Sequence, residues 1–348
     1  SPIVGLAISR FGTRKVLIFG ACCTGVALTL LGQIRQLWHY YLLMPLVASG
    51  IASLGLLTCA TCVSHWFQKR RGMATGVVFA ASGTGGMVMV FVASQSVKLI
   101  DWRPTYMLLG AILFLIVLPV IALVVRNKPE EMGLSPDGDM LFNNSKESPG
   151  GIGSDLLEAI KTSPYWLMAS LMLCYGLIFG SMTQHAIAIL RSLEVGEPSL
   201  FWSLTLGVSV LGRLMFGGLA DRFSKKGLIS LAWLFLLIGL ASAFATPGVP
   251  PFVFAFALFF GVGQGGFSTV FPVRLGELFG TAHFSKLYGT ILLFQAIGFS
   301  SGAVLFGKIF DSMNSYRPAL AIVIITSVIC FIISTDIQHS KAPLVIQT

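Results

Sequence analysis

The sequence predicts an all-α membrane protein built from two pseudo-symmetric helix bundles. Its 348 residues are 55% hydrophobic and 11% charged, with a mean hydropathy of +0.84. A soluble domain carries roughly a quarter charged residues. That contrast excludes a water-soluble enzyme, a disordered chain and a nucleic-acid-binding protein. The net charge of +9 does not point to a polyanion, because the 23 Lys and Arg residues lie mostly between long apolar runs, where a membrane protein places them. The expected partner of the surface is the lipid bilayer.

A spanning helix needs about 20 mostly apolar residues. Such runs occur at 16–34, 39–63, 73–96, 104–125, 164–190, 199–219, 227–246, 251–273, 286–307 and 317–335, after the tail of another at 1–8. Between the fourth and fifth runs, residues 126–163 collect Arg126, Lys128, Glu130, Glu131, Asp137, Asp139, Asn143 and Asn144 with Gly and Pro, a solvated linker. The expected division is a bundle over 1–125, the linker over 126–163 and a second bundle over 164–348. The chain begins at Ser1 with an apolar stretch too short to span, so a first helix and most of a second are expected upstream.

The cations fix the orientation. With loop 9–15 in the cytoplasm, 16 cations, Lys146 and Lys341 among them, fall on the cytoplasmic side and 6 on the other, with Arg213 inside a span. This follows the positive-inside rule and puts the linker and C-terminus inside the cell, with the protein in the inner (plasma) membrane. The halves also repeat: Arg10-Phe11 recurs as Arg222-Phe223, Gly76 as Gly289, and Arg103-Pro104 as Arg317-Pro318, at offsets of 212 to 214. Matches near one offset indicate parallel repeats about an axis normal to the membrane.

Residues 5–15, GLAISRFGTRK, and 217–226, GGLADRFSKK, both resemble the loop signature of the major facilitator superfamily. The positions that carry it are Gly5, Arg10, Gly12 and Arg14 in the first loop and Gly217, Asp221 and Arg222 in the second. Residues 65–86, HWFQKRRGMATGVVFAASGTGG, the pairs Phe279-Gly280, Tyr288-Gly289 and Phe310-Asp311, and NKPEEMGLSPDG at 127–138 resemble the monocarboxylate transporter and oxalate/formate antiporter group. The resemblance implies a major facilitator fold and loops that take part in conformational change. Ser9 stands where the general signature has an acid, a departure that monocarboxylate transporters share, and it deprives that loop of a charge latch.

None of the 14 acids lies in the middle of a span, and Arg213 is the one strongly charged residue that does. It stands about eight residues, roughly 12 Å, inside its helix. A cation there costs about 2.5–3.5 kcal/mol on insertion scales and needs a cavity or a counterion. A carboxylate substrate fits, since guanidinium can grip it with two parallel hydrogen bonds. The resemblance implies the same, because the group carries a substrate-binding Arg at this place on its eighth helix. The alternative is an Arg that snorkels to the surface or braces loop 217–226.

Thr205 and Ser209 share a helical face with Arg213 at i−8 and i−4, with Trp202 above them. The group's eighth-helix acid falls near Ser209 and is absent here. His185, beside Gln184 and one turn after Ser181, either relays protons or meets water or a carbonyl at its helix end. Gln264 and Gln295 either hydrogen-bond substrate or bridge helices. Arg70 and Arg71 read as topology anchors. Gly72-xxx-Gly76 and Gly176-xxx-Gly180 read as helix-packing glycines.

Cys59 and Cys62 form a CxxC on an apolar helix without His partners, so no metal, disulfide or other cofactor is expected. No phosphate-binding Gly-rich loop is present, so direct ATP coupling has no support. The sequence therefore predicts a secondary transporter of a small organic anion, with a proton or a counter-anion as second partner. An exporter of lipophilic drugs and a non-transporting sensor stand as alternatives.

Overall fold

The computed structural model describes residues 2–138, 155–245 and 250–339. Asp139, Asn143, Asn144, Lys146 and Lys341 lie outside the described residues, as does the middle of the 126–163 linker. Among the described residues nine helical stretches are long and apolar enough to cross a membrane. The run expected at 73–96 lies within a further helix of 30 residues, Arg71–Ile100. The chain divides into two compact units, residues 1–68 with 84–148 and residues 69–83 with 149–348.

The first unit begins with α1 (Pro2–Phe11) and α2 (Thr13–Leu31), separated by Gly12 at φ 84. A side chain at Gly12 would be strained by that φ and would meet Asn127 Oδ1 at 2.6 Å. The run expected at 39–63 is two helices, α3 (Leu37–Leu54) and α4 (Leu56–Trp66). Gly55 between them is extended at ψ −178, which interrupts the helical ladder. Part of α5 (Arg71–Ile100) follows, then α6 (Trp102–Ile112), a π turn at Leu113–Val117 and α7 (Leu118–Val124). The π turn has a cause in the sequence: Pro119 has no N–H and its ring crowds the carbonyl of Leu115, so the ladder widens there. α2 packs along α3 and α6, and Leu17, Ala21 and Ile121 form its small core with Ile18, Leu54 and Val117 around them. The described linker residues form short 3-10 turns at Pro129–Met132 and Pro136–Gly138.

The second unit holds the head of α5, the short α8 (Leu156–Ala159), α9 (Ser163–Ser192), α10 (Pro198–Arg222), α11 (Lys225–Ala245), α12 (Pro250–Phe279), α13 (Phe284–Met313) and α14 (Arg317–His339). α9 packs along α13, α11 along α12 and α14, and α10 along α12. The α9–α13 contact is backbone on backbone. A Cβ at Gly176 would lie 2.2 Å from the Gln295 carbonyl, and one at Gly298 would lie 2.0 Å from that of Leu173. Small residues let helices approach this way where no hydrophobic effect drives them together. Aromatic side chains fill the rest, with Trp233, Phe260, Phe267, Phe271, Phe279 and Tyr288 fully buried. Leu115 in the first unit and Leu211, Ile325 and Ile332 in the second are exposed on helix faces, the surface that lipid covers.

Candidate functional site

Arg213 lies nine residues before the end of α10 at Arg222, roughly 13 Å along the axis. Its Nη1 donates to the Phe79 carbonyl at 2.7 Å and to Ser82 Oγ at 3.5 Å, both on the head of α5. The backbone approach that permits this runs through Gly76, where a Cβ would sit 2.6 Å from the Arg213 carbonyl. Nε is buried and has no protein partner. Among the described residues Arg213 has no acidic partner. The guanidinium is held through Nη1 and keeps Nε as an unused donor, the kind of group with which an Arg grips a carboxylate.

The residues expected around it divide. Gln264, on α12, is 2% exposed, and its Oε1 has no partner. The next residue, Gly265, lets α12 reach α10: a Cβ there would stand 2.1 Å from the Ser209 carbonyl and 2.9 Å from the Arg213 nitrogen. Gln264 is thus level with Arg213. Thr205 and Ser209 are buried, and their hydroxyls donate to the Phe201 and Leu206 carbonyls of their own helix at 2.8 and 2.7 Å. Their helix face packs against α12 through Gly261 and Gly265. Gln184 is exposed, and Gln295 meets Gly176 through its backbone.

His185 is placed elsewhere in the unit. Its Nε2 is 2.9 Å from the Ala303 carbonyl and its Nδ1 is 3.3 Å from the Tyr316 hydroxyl. A carbonyl can only accept, so Nε2 carries the proton and Nδ1 accepts from Tyr316. Both ring nitrogens are engaged by protein, tying α9 to α13 and to the start of α14.

The second signature loop is built around Asp221. Its Oδ1 accepts from the Gly72 N–H at 2.7 Å and its Oδ2 from the Met73 N–H at 2.9 Å. These are first-turn donors of α5, which its own helix cannot satisfy, and a carboxylate is favoured there by the helix dipole. Gly217 makes the approach possible, since a Cβ there would be 2.8 Å from the Gly72 carbonyl. Arg222 is exposed. The first loop uses no carboxylate of its own: Ser9 bonds the Leu6 carbonyl at 2.9 Å. Asn127 Oδ1 accepts from the Arg14 N–H at 2.9 Å, and Arg14 also reaches the Ala122 carbonyl. Arg10 is exposed over the Phe11 ring, and Gly5 is buried.

Two participants escaped the sequence reading. Tyr175 of α9 is 4% exposed; its hydroxyl donates to the Gln264 carbonyl at 3.4 Å, touches the Gln264 and Ser268 side chains and is within electrostatic reach of Arg213. An aromatic residue in an apolar run carries no mark of such a role. Arg71, expected as an anchor at the membrane surface, is instead buried, with its guanidinium 5.0 Å from the centre of the Phe284 ring. Glu277 nearby is paired with Lys225 at 2.9 Å and with Arg274 at 3.2 Å.

The sequence profile of the Major Facilitator Superfamily matches residues 1–208 and 194–337. The chain belongs to the Major Facilitator Superfamily. It is a multi-pass membrane transporter, not an enzyme. Relatives include an uncharacterized transporter of this type, YhjX, of Escherichia coli (strain K12), 25% identical over 86% of this chain and 72% of that protein. The oxalate:formate antiporter of Oxalobacter formigenes is 24% identical over 96% of this chain and 78% of its own. Human monocarboxylate transporter 12 is 22% identical over 92% and 66%. Among solved structures, the fucose:proton symporter FucP of Escherichia coli superposes with a TM-score of 0.72 at 16% identity, covering 98% of this chain and 87% of that one. At that identity the likeness concerns the fold alone.

Proposed function

We propose that this superfamily member moves small organic anions, monocarboxylates or dicarboxylates, across the membrane by alternating access. The observation that carries the reading is Arg213, a cation inside a span with one nitrogen fixed by the Phe79 carbonyl, Nε buried and unpartnered, and no acidic partner among the described residues. An unpaired charge at that depth is expensive, and a substrate carboxylate supplies the missing counterion. Gln264 shares the level of Arg213 and completes the site, while Thr205 and Ser209 shape it as packing. The antiporter and monocarboxylate transporter relatives, by their names, handle substrates of this class.

With no Asp or Glu in the middle of a span, exchange against a second anion is favoured over proton symport. His185 has both ring nitrogens bonded to protein, so it acts as a clamp between helices. The bundles 1–125 and 164–348 are the working halves, and the 126–163 linker and C-terminus face the cytoplasm of a plasma-membrane protein. Counterflow in proteoliposomes tests this with labelled lactate, pyruvate, formate and oxalate. Saturable flux of at least one, insensitive to dissipation of the pH gradient, is expected. Lack of flux with all four, together with transport of lipophilic cations, would replace the reading by drug export.

A further inference from the structure

The carboxylate reading leaves a buried acceptor at the level of Arg213 without a partner. Gln264 Oε1 is buried and unpartnered in a side chain only 2% exposed. Buried acceptors in folded proteins almost always have partners, and an orphan calls for a missing one. The surroundings fix which atom is missing. The Tyr175 hydroxyl gives its proton to the Gln264 backbone carbonyl at 3.4 Å, so its lone pairs face the Gln264 side chain that lies against it. The Ser268 hydroxyl beside it already donates to the Gly265 carbonyl at 2.9 Å, which leaves the Gln264 amide N–H₂ as the side-chain donor for those lone pairs. Oε1 is thereby turned away from Tyr175. Gly265, the next residue, abuts the backbone of Arg213, whose Nε is the second buried orphan of this region.

An orphan donor and an orphan acceptor at one level of the unit describe a ligand with complementary groups. We propose that Gln264 is a specificity-determining residue, selecting carboxylates that carry a hydrogen-bond donor on the neighbouring carbon, as 2-hydroxy acids do. This rests on the Arg213 reading above. The carboxylate takes the Nε edge of Arg213, the hydroxyl donates to Gln264 Oε1, and Tyr175 is a positioning residue that holds the amide in that orientation. Oxalate dianion has acceptors only and would set lone pairs against Oε1. A site built to bond a hydroxyl rejects the analogue that lacks it far more strongly than a greasy pocket rejects a shorter chain.

Competition in counterflow with matched pairs, lactate against propionate and glycolate against acetate, tests the assignment. The hydroxy acid of each pair is expected to compete at a concentration about tenfold or more below its partner, with oxalate weakest. Gln264→Met, close in shape but without the acceptor, should bring the two members of each pair to near equality in competition. Tyr175→Phe should narrow the gap part-way. Equal competition within the pairs in the unaltered protein overturns the proposal without any variant having to fold, and so does undiminished discrimination in Gln264→Met. Arg213-dependent flux without discrimination would refute this inference alone, whereas absence of flux for every carboxylate would remove the Arg213 reading along with it.

Discussion

Asp221 offers a measurable test of how the second unit is held together. Both carboxylate oxygens are engaged, at 2.7 and 2.9 Å, by the first-turn N–H groups of Gly72 and Met73. Hydrogen bonds to a charged group contribute about 1.5–3 kcal/mol each. Asp221 is only partly buried and Met73 is exposed, so solvent replaces some of that on removal. The two bonds together, with the dipole contribution, then amount to about 2 kcal/mol in Asp221→Ala. Asp221→Asn keeps one acceptor but turns an N–H₂ toward an N–H, and should lose roughly half as much or more. Thermal unfolding of the purified protein in detergent reads this as a drop on the order of 4 °C for the alanine variant. Raising the salt should narrow the difference only slightly, because these contacts are short and partly shielded. An unchanged transition in Asp221→Ala would refute the reasoning, since it would mean that water serves those N–H groups equally well.

Three further outcomes follow from the same packing. Gly176→Ala would push a methyl carbon to 2.2 Å from the Gln295 carbonyl and should destabilise by about 1–3 kcal/mol, whereas Gly207→Ala, with nothing within 4 Å, should be neutral or slightly stabilising; thermal shifts of the pair decide this. His185→Phe removes the bonds to the Ala303 carbonyl and the Tyr316 hydroxyl and should lower stability by roughly 1–2 kcal/mol while leaving counterflow in surviving protein intact; loss of flux at unchanged stability would assign His185 to transport instead. Gly12→Ala adds strain at φ 84 and a contact with Asn127 Oδ1, so it should reduce folded yield more than Asn127→Ala, which loses only the bonded oxygen; equal yields would contradict the left-handed assignment.

The spans were legible because length and hydropathy are properties of contiguous residues. Each expected run lies on helix with ends that agree to within six residues, α12 and α13 running furthest past the expected ends, apart from the π turn at Leu113–Val117 and the break at Gly55, where one glycine among several showed no special mark. Arg213 was legible for the same reason: one cation in an apolar run is visible without a fold. What it touches was not, because Phe79 is 134 residues away in sequence and offers a backbone carbonyl, which every residue has. Thr205 and Ser209 were expected as a polar track by spacing alone, but a helical hydroxyl can always turn to a carbonyl three or four residues back, and both do so. The capping role of Asp221 depends on a helix start 149 residues earlier in the chain. Tyr175 and the orphan oxygen of Gln264 emerge only when α9, α10 and α12 are assembled.

The most direct test of the carboxylate reading is counterflow by Arg213→Ala and Arg213→Lys in proteoliposomes, with insertion and thermal stability measured on the same preparations. Removing one side of a buried charged contact costs about 2–5 kcal/mol, so Arg213→Ala should lower carboxylate flux at least about thirtyfold. Arg213→Lys, which keeps the charge but not the bidentate fork, should recover only part of it. Full carboxylate flux in a correctly inserted Arg213→Ala protein would contradict the assignment.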